Sequence, residues 1–346
     1  MEVVQVDFGR DWRGGQHQLL LLARGLAPLG WRSVIVTPAA DLAARWRGEG
    51  FEAMAPGPAR ARVRGAAMVH AHDGRALGWA LLARLGGGPP LVASRRVAFP
   101  LRRAGAWKWR RAARVLAVSG FVRGQLLRAG LRPERVQVVP DAVDLEALPA
   151  PAAARREVRA KLGLIPDRCC LACVSALTPE KGVGDLIAAL PLLRDLAPMA
   201  LLTGEGAEQA ALLAQAERLG VAAQVVWAAG RCSAAEAVAA ADMLVMPSRQ
   251  EGLGSAILLA WALERTVVAA RAGGIPELVV DGQNGLLFPP GDAAALAAAI
   301  GRVAADAAGR DWYAAAGRAS LNERYLPAAM AAATAEVYRG LGNGEG

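Results

Sequence analysis

DMLVMPSRQEGLGSAILLAWA (Asp242–Ala262) carries a short apolar run, a polar turn with glycines, and a longer apolar run without a charge. The first run has the length of a buried parallel strand and the last has the length of a helix. Between them, Glu251 is followed by Gly252 and Gly254, so backbone N–H groups can crowd whatever the carboxylate binds. A strand, a glycine turn and a helix in that order form the opening half of a βαβ unit, which predicts a parallel sheet with right-handed crossovers.

The same alternation extends in both directions. Upstream, VVQVDF (3–8), SVIVT (33–37), AMVHAH (67–72), LVAS (91–94), RVLAVS (114–119) and RVQVVP (135–140) read as strands. Stretches of helical period separate them, such as GQHQLLLLARGLAPLG (15–30) and GFVRGQLLRAG (120–130). A turn at VPDAVD (139–144) leads into LEALPAPAAARR (145–156), whose Pro and Ala content predicts a linker. Strands resume with CLACVSA (170–176), MALLTG (199–204), QVVWAAG (224–230), DMLVMPS (242–248), TVVAA (266–270) and NGLLFPP (284–290), and the remaining chain has helical character. A chain of 346 residues is too long for one compact core. The expectation is an α/β protein of two doubly wound, Rossmann-like domains facing a central cleft, where the strand C-terminal ends bind ligands. The expected spans are 1–150, 151–325 and a C-terminal helix at 326–346 crossing back to the N-terminal domain.

Charge divides the chain unevenly. Residues 1–150 hold 23 Lys/Arg against 11 Asp/Glu, whereas the rest hold 17 against 20. The excess peaks in RRVAFPLRRAGAWKWRRAAR (Arg95–Arg114), with eight cations, no acid, and Phe99, Trp107 and Trp109 interleaved. Such a stretch suits an anionic membrane surface, a nucleic acid, or simply a solvated arginine face. No recognised nucleic-acid module accompanies it, so nucleic acid is not an expected partner. No leader is seen before the first strand and no apolar run of about 18 residues occurs, which predicts a cytoplasmic protein. Cys170 and Cys173 stand at redox-pair or half-metal-site spacing within RCCLACVSA (168–176), yet no second Cys/His pair stands at zinc-like distance. The apolar strand around them favours plain core thiols.

The loops after the strands carry the chemistry. DFGRDWRGGQHQLL (Asp7–Leu20) brings Gly14 and Gly15 to a helix start, open to an anion such as a diphosphate or serving a tight turn. Its spacing is not that of a dinucleotide fingerprint, which disfavours a dehydrogenase. VSALTPEKGVGDLIAAL (174–190) places Lys181, one of only three lysines, in a strand-to-helix loop where its ammonium can reach a phosphate. LLTGEGAEQ (201–209) supplies a further glycine-flanked turn. Loops of this kind suit a ligand with phosphates and several hydroxyls. Elsewhere His17 reads as a surface or cleft polar group, Trp261 as core, Asp242 as a turn residue and Glu277 as a helix cap. His70 and His72, without a third ligand, predict no metal site.

GRDWRGGQHQLLLLARGL, ALTPEKGVGDLIAAL, ADMLVMPSRQEGLGSAILLAWA and ARAGGIPELVVDGQNGLLFPPGDAAALAAAI together resemble the retaining, GT-B-fold glycosyltransferases of family 4. Among them the likeness is to bacterial lipopolysaccharide- and capsule-type sugar transferases. The resemblance implies a sugar moved with retention from a nucleotide-sugar donor to a lipid-linked, glycolipid or oligosaccharide acceptor, on the inner face of the cell membrane. It implies no cofactor and no bound metal, and the chain has no Asp-x-Asp triplet. By resemblance Lys181 and Glu251 are catalytic. Gly14, Gly15, Gln16, Gly204, Glu205, Arg231, Gly252, Leu253, Gly254 and Ser255 bind the donor. His72, Asp73, Arg95 and Arg96 belong to the acceptor side.

The chain departs from that pattern at three places. Ala176 stands where an arginine is common before the lysine loop, and Arg95–Arg96 stand where a histidine is usual. Leu259 stands where a second carboxylate grips the ribose, eight residues after Glu251 and about 80° around an ideal helix. These departures keep a second reading open, a degenerate protein that holds a sugar-phosphate or polyanion without turnover.

Overall fold

A computed structural model describes residues 1–165 and 167–342, with the side chains of residues 103, 104, 151 and 154 outside the description. The chain forms two compact units, one of Met1–Ala142 joined by the chain from Glu323 onward, the other of Val143–Asn322.

The first unit is built on seven strands: β1 Glu2–Val6, β2 Arg32–Val36, β3 Glu52–Met54, β4 Met68–Ala71, β5 Leu91–Arg95, β6 Arg114–Ala117 and β7 Val136–Val138. They pair in the order β3-β2-β1-β4-β5-β6-β7, every pair parallel. The second unit has β8 Cys170–Val174, β9 Met199–Thr203, β10 Val225–Trp227, β11 Met243–Met246, β12 Thr266–Ala270 and β13 Leu286–Phe288. Their order is β10-β9-β8-β11-β12-β13, again all parallel. The sequence reading omits only β3, a three-residue edge strand too short to show a period.

Each sheet is apolar on both faces because helices cover both, so its strands read as continuous rather than alternating runs. In the second unit Leu171, Leu186, Val245, Val268 and Ile300 pack into one core. In the first unit the C-terminal helix Pro327–Gly342 lies against the helix Gly14–Leu26, with Met330, Ala331 and Tyr338 joining Leu22, Met68 and Leu116. The approach is close enough that a Cβ on Gly25 would stand 2.7 Å from the Ala331 Cβ.

The linker expected at residues 145–156 is in part a helix, Pro151–Leu162. Ala, Arg, Glu and Lys are good helix formers, Pro in the first turn is harmless, and Gly163 ends the helix at φ +67°. Arg155 and Arg159 both donate to the Ala240 carbonyl, at 3.3 and 3.0 Å, and Arg155 pairs with Asp242 at 2.8 Å. Asp242 also accepts from the Cys170 N–H, so it clasps β8 rather than merely turning the chain. Cys170 and Cys173 are buried, and burial pushes their thiols up to about 12 and about 11 respectively. Among the described residues no group of His, Cys, Asp and Glu is arranged to hold a metal ion.

Candidate active site

Doubly wound sheets bind ligands where the strand order reverses. In the second unit that point lies between β8 and β11, and the loops leaving β8, β9, β11 and β12 are locked together there. The Leu177 N–H donates to the Glu205 carbonyl at 3.0 Å and the Leu177 carbonyl accepts from the Glu208 N–H at 3.1 Å. Gly204, at φ +146°, allows this contact, since a Cβ on it would lie 1.8 Å from the Ser175 carbonyl oxygen. The Lys181 loop is tied to the Glu251 loop by the Arg249 N–H, which donates to the Glu180 carbonyl at 2.8 Å. The Arg249 guanidinium grips Asp185 through two bonds of 2.6 and 3.0 Å, a planar fork that lysine could not reproduce. Gly274 from the β12 loop donates to the Glu251 carbonyl at 3.0 Å.

These constraints bring Lys181 and Glu251 together. The Lys181 Nζ lies 2.7 Å from the Glu251 Oε2, with the two side chains 24% and 13% exposed. Ser248 Oγ also reaches Oε2 at 3.3 Å, and the Gly252 N–H reaches Oε1 at 3.1 Å. Gly254, at φ +103°, starts the helix Ser255–Ala262 without a side-chain cap. Leu253 is buried at 2% exposure and packs inward. Glu251 therefore sits in the loop and not on this helix, so the 80° helical-wheel relation to Leu259 does not hold. Leu259 is half-buried on the helix itself.

Two further expected positions take other partners. Arg231 follows the edge strand β10, is exposed, and donates to the Lys161 carbonyl at 3.4 Å. Glu205 serves through its backbone and its residue is exposed. Glu277 lies in a single 3-10 turn, Ile275–Glu277, which corrects its reading as a helix cap.

In the first unit the reversal lies between β1 and β4. Gly14 and Gly15 open the helix Gly14–Leu26 and are exposed. Gln16 is buried; its Nε2 donates to both Asp7 oxygens at 3.0 and 3.1 Å, and its Oε1 accepts from the Arg13 N–H at 3.0 Å. Its amide thus braces the glycine loop from within. Burial raises the Asp7 pKa above the ordinary carboxylate value, against the lowering effect of Gln16. Asp73 caps the helix Gly74–Ala83 and clamps the loop through the Phe8 N–H at 2.7 Å. His72 Nε2 meets Gln5 Oε1 at 2.8 Å, and Arg96 bridges His72 Nδ1 (3.2 Å) and Asp141 (2.9 Å). Because Gln5 Oε1 can only accept, His72 carries its proton on Nε2 and accepts from Arg96 at Nδ1. Arg95 turns into the body of the unit, its guanidinium over Trp109 and donating to the Phe99 carbonyl. Asp7, Gln5, Asp141 and Tyr338 belong to this network and escape sequence reading, because each sits in an ordinary strand, turn or helix pattern.

His70 is fully buried between Tyr338 OH (2.6 Å) and Ser94 Oγ (2.8 Å). Burial, then Arg96, holds its pKa well below the ordinary value; burial, His70 and Arg96 do the same for His72. The unfolded chain takes up these protons below about pH 6.5, and the folded unit does not. Stability is therefore complete above that value and falls below it, by up to about 1.4 kcal/mol per pH unit for each imidazole. His70, with no exposed surface, carries the larger share. Asp7 opposes the trend, since its cost shrinks as the pH falls through its raised pKa. The expected net result is a lower melting temperature for the first unit at pH 5.5 than at pH 7.5. An equal or higher value at pH 5.5 contradicts the assignment of buried, neutral imidazoles.

Residues 12–147 match the family model described as Glycosyltransferase Family 4, and residues 168–306 match the one described as Glycosyl transferases group 1. A GDP-mannose-dependent alpha-(1-6)-phosphatidylinositol monomannoside mannosyltransferase of Mycolicibacterium smegmatis is 32% identical over 293 residues, covering 79% of this chain and 72% of that protein. An alpha-maltose-1-phosphate synthase of Mycobacterium tuberculosis is 34% identical over 243 residues, covering 65% of this chain and 62% of that protein. Among solved structures, Anabaena HepE in complex with UDP-glucose superimposes with a TM-score of 0.90 at 22% identity, covering 98% of this chain and 99% of its own. The sucrose-phosphate synthase of Thermosynechococcus elongatus does so with a TM-score of 0.84 at 19% identity, covering 98% of each chain.

Proposed function

The chain belongs to the family 4, group 1 glycosyltransferases, and on that premise we propose that it moves a sugar from a nucleotide-sugar to a hydroxyl of a lipid-linked or oligosaccharide acceptor, retaining the anomeric configuration. The observation that carries this reading is the 2.7 Å contact between Lys181 and Glu251. An ammonium has three donors, so Lys181 can keep Glu251 in place while offering another N–H to a diphosphate. Glu251 has acceptor capacity beyond Lys181, Ser248 and Gly252, and ring hydroxyls are the donors that a sugar brings. The pair thus marks the boundary between the phosphate and the sugar of one ligand. The neighbouring backbone of Gly252, Leu253, Gly254 and Ser255 lets that ligand come close.

In the reaction the bond between the anomeric carbon and the diphosphate oxygen breaks, and a bond to the acceptor oxygen forms on the same face. The acceptor proton passes to the departing diphosphate. Lys181 stabilises the negative charge growing on that group, the kind of interaction that contributes most to such transfers. In the first unit, the exposed helix start at Gly14 and Gly15 suits an anionic group of a substrate, and Arg96, whose five N–H donors exceed those given to Asp141 and His72, suits the acceptor, with His72 helping to hold it in place.

A second reading, a binding protein without turnover, draws on Leu259 and Ala176, neither of which offers the ribose or phosphate a hydrogen-bonding side chain. The experiment that separates them is a thermal-shift screen of nucleotide-sugars followed by an assay for nucleoside diphosphate release. A ligand at a hundred times its Kd stabilises by about 2.7 kcal/mol, which such a screen registers. Stabilisation with release supports the transferase; stabilisation without release, even with candidate acceptors, supports the binding protein.

A further inference from the structure

We infer that Tyr338, on the C-terminal helix Pro327–Gly342, is a positioning residue for Arg96, acting through the side chains of Gln5, His70 and His72 inside the first unit. The inference goes beyond the transfer reading and rests on it only in taking the acceptor as what Arg96 meets. Three neighbouring strands each carry a buried polar residue in an apolar run: Gln5 after Val3 and Val4 in β1, His70 after Met68 and Val69 in β4, and Ser94 after Val92 and Ala93 in β5. Gln5 and His70 are partners in register. Gln5, His70 and Tyr338 have no exposed surface, and Ser94 is 4% exposed. Apolar side chains would fill these positions with no hydrogen bond to satisfy, so four polar groups gathered here serve something other than packing.

Their donors and acceptors fall into one order. Arg96, which can only donate, gives an Nη1–H to His72 Nδ1 at 3.2 Å, and His72 gives its Nε2–H to Gln5 Oε1 at 2.8 Å. With Oε1 facing His72, the Gln5 amide turns its Nε2 to Ser33 Oγ, 3.4 Å away, and to the Tyr338 hydroxyl. The Tyr338 O–H then points at His70 Nδ1, 2.6 Å away, and His70 Nε2–H points at Ser94 Oγ, 2.8 Å away. Each bond in such a series polarises the next, and reversing one sets two donors or two acceptors face to face. The His70 and His72 rings, 4.2 Å apart and 35° from parallel, also couple the two imidazoles directly. The far end of the series returns to the near one, since Ser94 and Arg96 line a single cavity of about 10 Å³ with Thr334 of the C-terminal helix. On the guanidinium, Asp141 takes the Nε–H at 2.9 Å, and His72 is the second point that sets its plane. Without the Tyr338 hydroxyl, His70 loses a donor and the Gln5 amide can turn over. A turned amide presents N–H to His72, which must then move its proton to Nδ1 and can no longer accept from Arg96.

The test is nitrogen-15 NMR of the full chain labelled at histidine, which has only three imidazoles to resolve. In the parent, His70 and His72 should both carry the proton on Nε2 and none on Nδ1. A proton on Nδ1 of either ring overturns the proposal without any variant. Tyr338→Phe keeps the ring that packs 4.9 Å from Trp31 and removes only the hydroxyl. It should shift the ring nitrogens of His72 as well as those of His70. It should also raise the KM for the acceptor roughly two- to thirtyfold, the range of coupling through such a network, with kcat and donor affinity near the parent's. His72 signals at their parent positions, or a donor KM raised as much as the acceptor KM, show that Tyr338 only packs and overturn the proposal. Should Tyr338→Phe not fold, Ser94→Ala removes the acceptor at the end of the same series and is read in the same way. The spectra need neither donor nor acceptor. Expected tautomers and shifts in a chain that releases no nucleoside diphosphate refute the transfer reading and keep the network; turnover with an unmoved His72 does the reverse.

Discussion

Lys181→Ala is expected to lower kcat by about a hundred- to a thousandfold, the usual loss when one donor to a developing charge is removed. Its effect on stability should be far smaller. Glu251 keeps Ser248 and the Gly252 N–H, and both partners retain some contact with water, so about 1–2 kcal/mol is lost. Because the ammonium holds the bound diphosphate and acts more strongly still on the departing one, kcat should fall and kcat/KM should fall further, by the loss in donor affinity. Steady-state kinetics beside a melting curve measure both effects. Parent-like turnover removes Lys181 from the mechanism. A melting temperature lowered as severely as the activity makes the residue structural.

Gly273→Ala is the second large effect, and it acts through the backbone. Gly273 stands at φ +57°, and a Cβ there would lie 1.9 Å from the Glu251 carbonyl oxygen and 2.9 Å from its carbon. The left-handed conformation costs an alanine about 1–2 kcal/mol, and displacing a packed backbone adds more. The expected loss is about 3 kcal/mol or more in the second unit, which lowers its melting temperature by roughly 6–12 °C. The displaced group is the backbone of Glu251, so turnover should also be nearly lost at temperatures where the variant is fully folded. A variant with parent-like melting and turnover shows that the β12 loop does not hold Glu251.

The sheets were legible because parallel strands covered on both faces leave continuous apolar runs, and strand after strand ends in a glycine or polar turn. Lys181 and Glu251 were legible for a related reason: glycines at their loops expose the two charged side chains as the groups with something to reach. The geometry of the site was not. A helical wheel placed Leu259 relative to Glu251 as though both lay on one helix, and the positive φ of Gly254 interrupts that helix before it reaches Glu251. In the first unit, Gln16 enters as a donor contact by resemblance alone, and nothing in the local pattern shows that its amide meets Asp7, nine residues earlier. Tyr338 lies 268 residues from His70, a separation no local pattern reports. The helix Pro151–Leu162 was hidden by its prolines, which are compatible with a first turn but read as a linker from composition.

Isothermal titration of a nucleoside diphosphate and of the matching nucleotide-sugar, against the parent, Lys181→Ala and Glu251→Gln, tests whether the pair divides one ligand between phosphate and sugar. The account predicts that Lys181→Ala weakens both ligands alike, by about ten- to a hundredfold for the loss of one charged hydrogen bond. It predicts that Glu251→Gln weakens only the nucleotide-sugar and leaves the diphosphate bound as tightly or more tightly, because the carboxylate no longer competes for Lys181. If Glu251→Gln weakens the bare diphosphate as much as the nucleotide-sugar, or if neither ligand responds to either substitution, the division of roles between Lys181 and Glu251 is wrong.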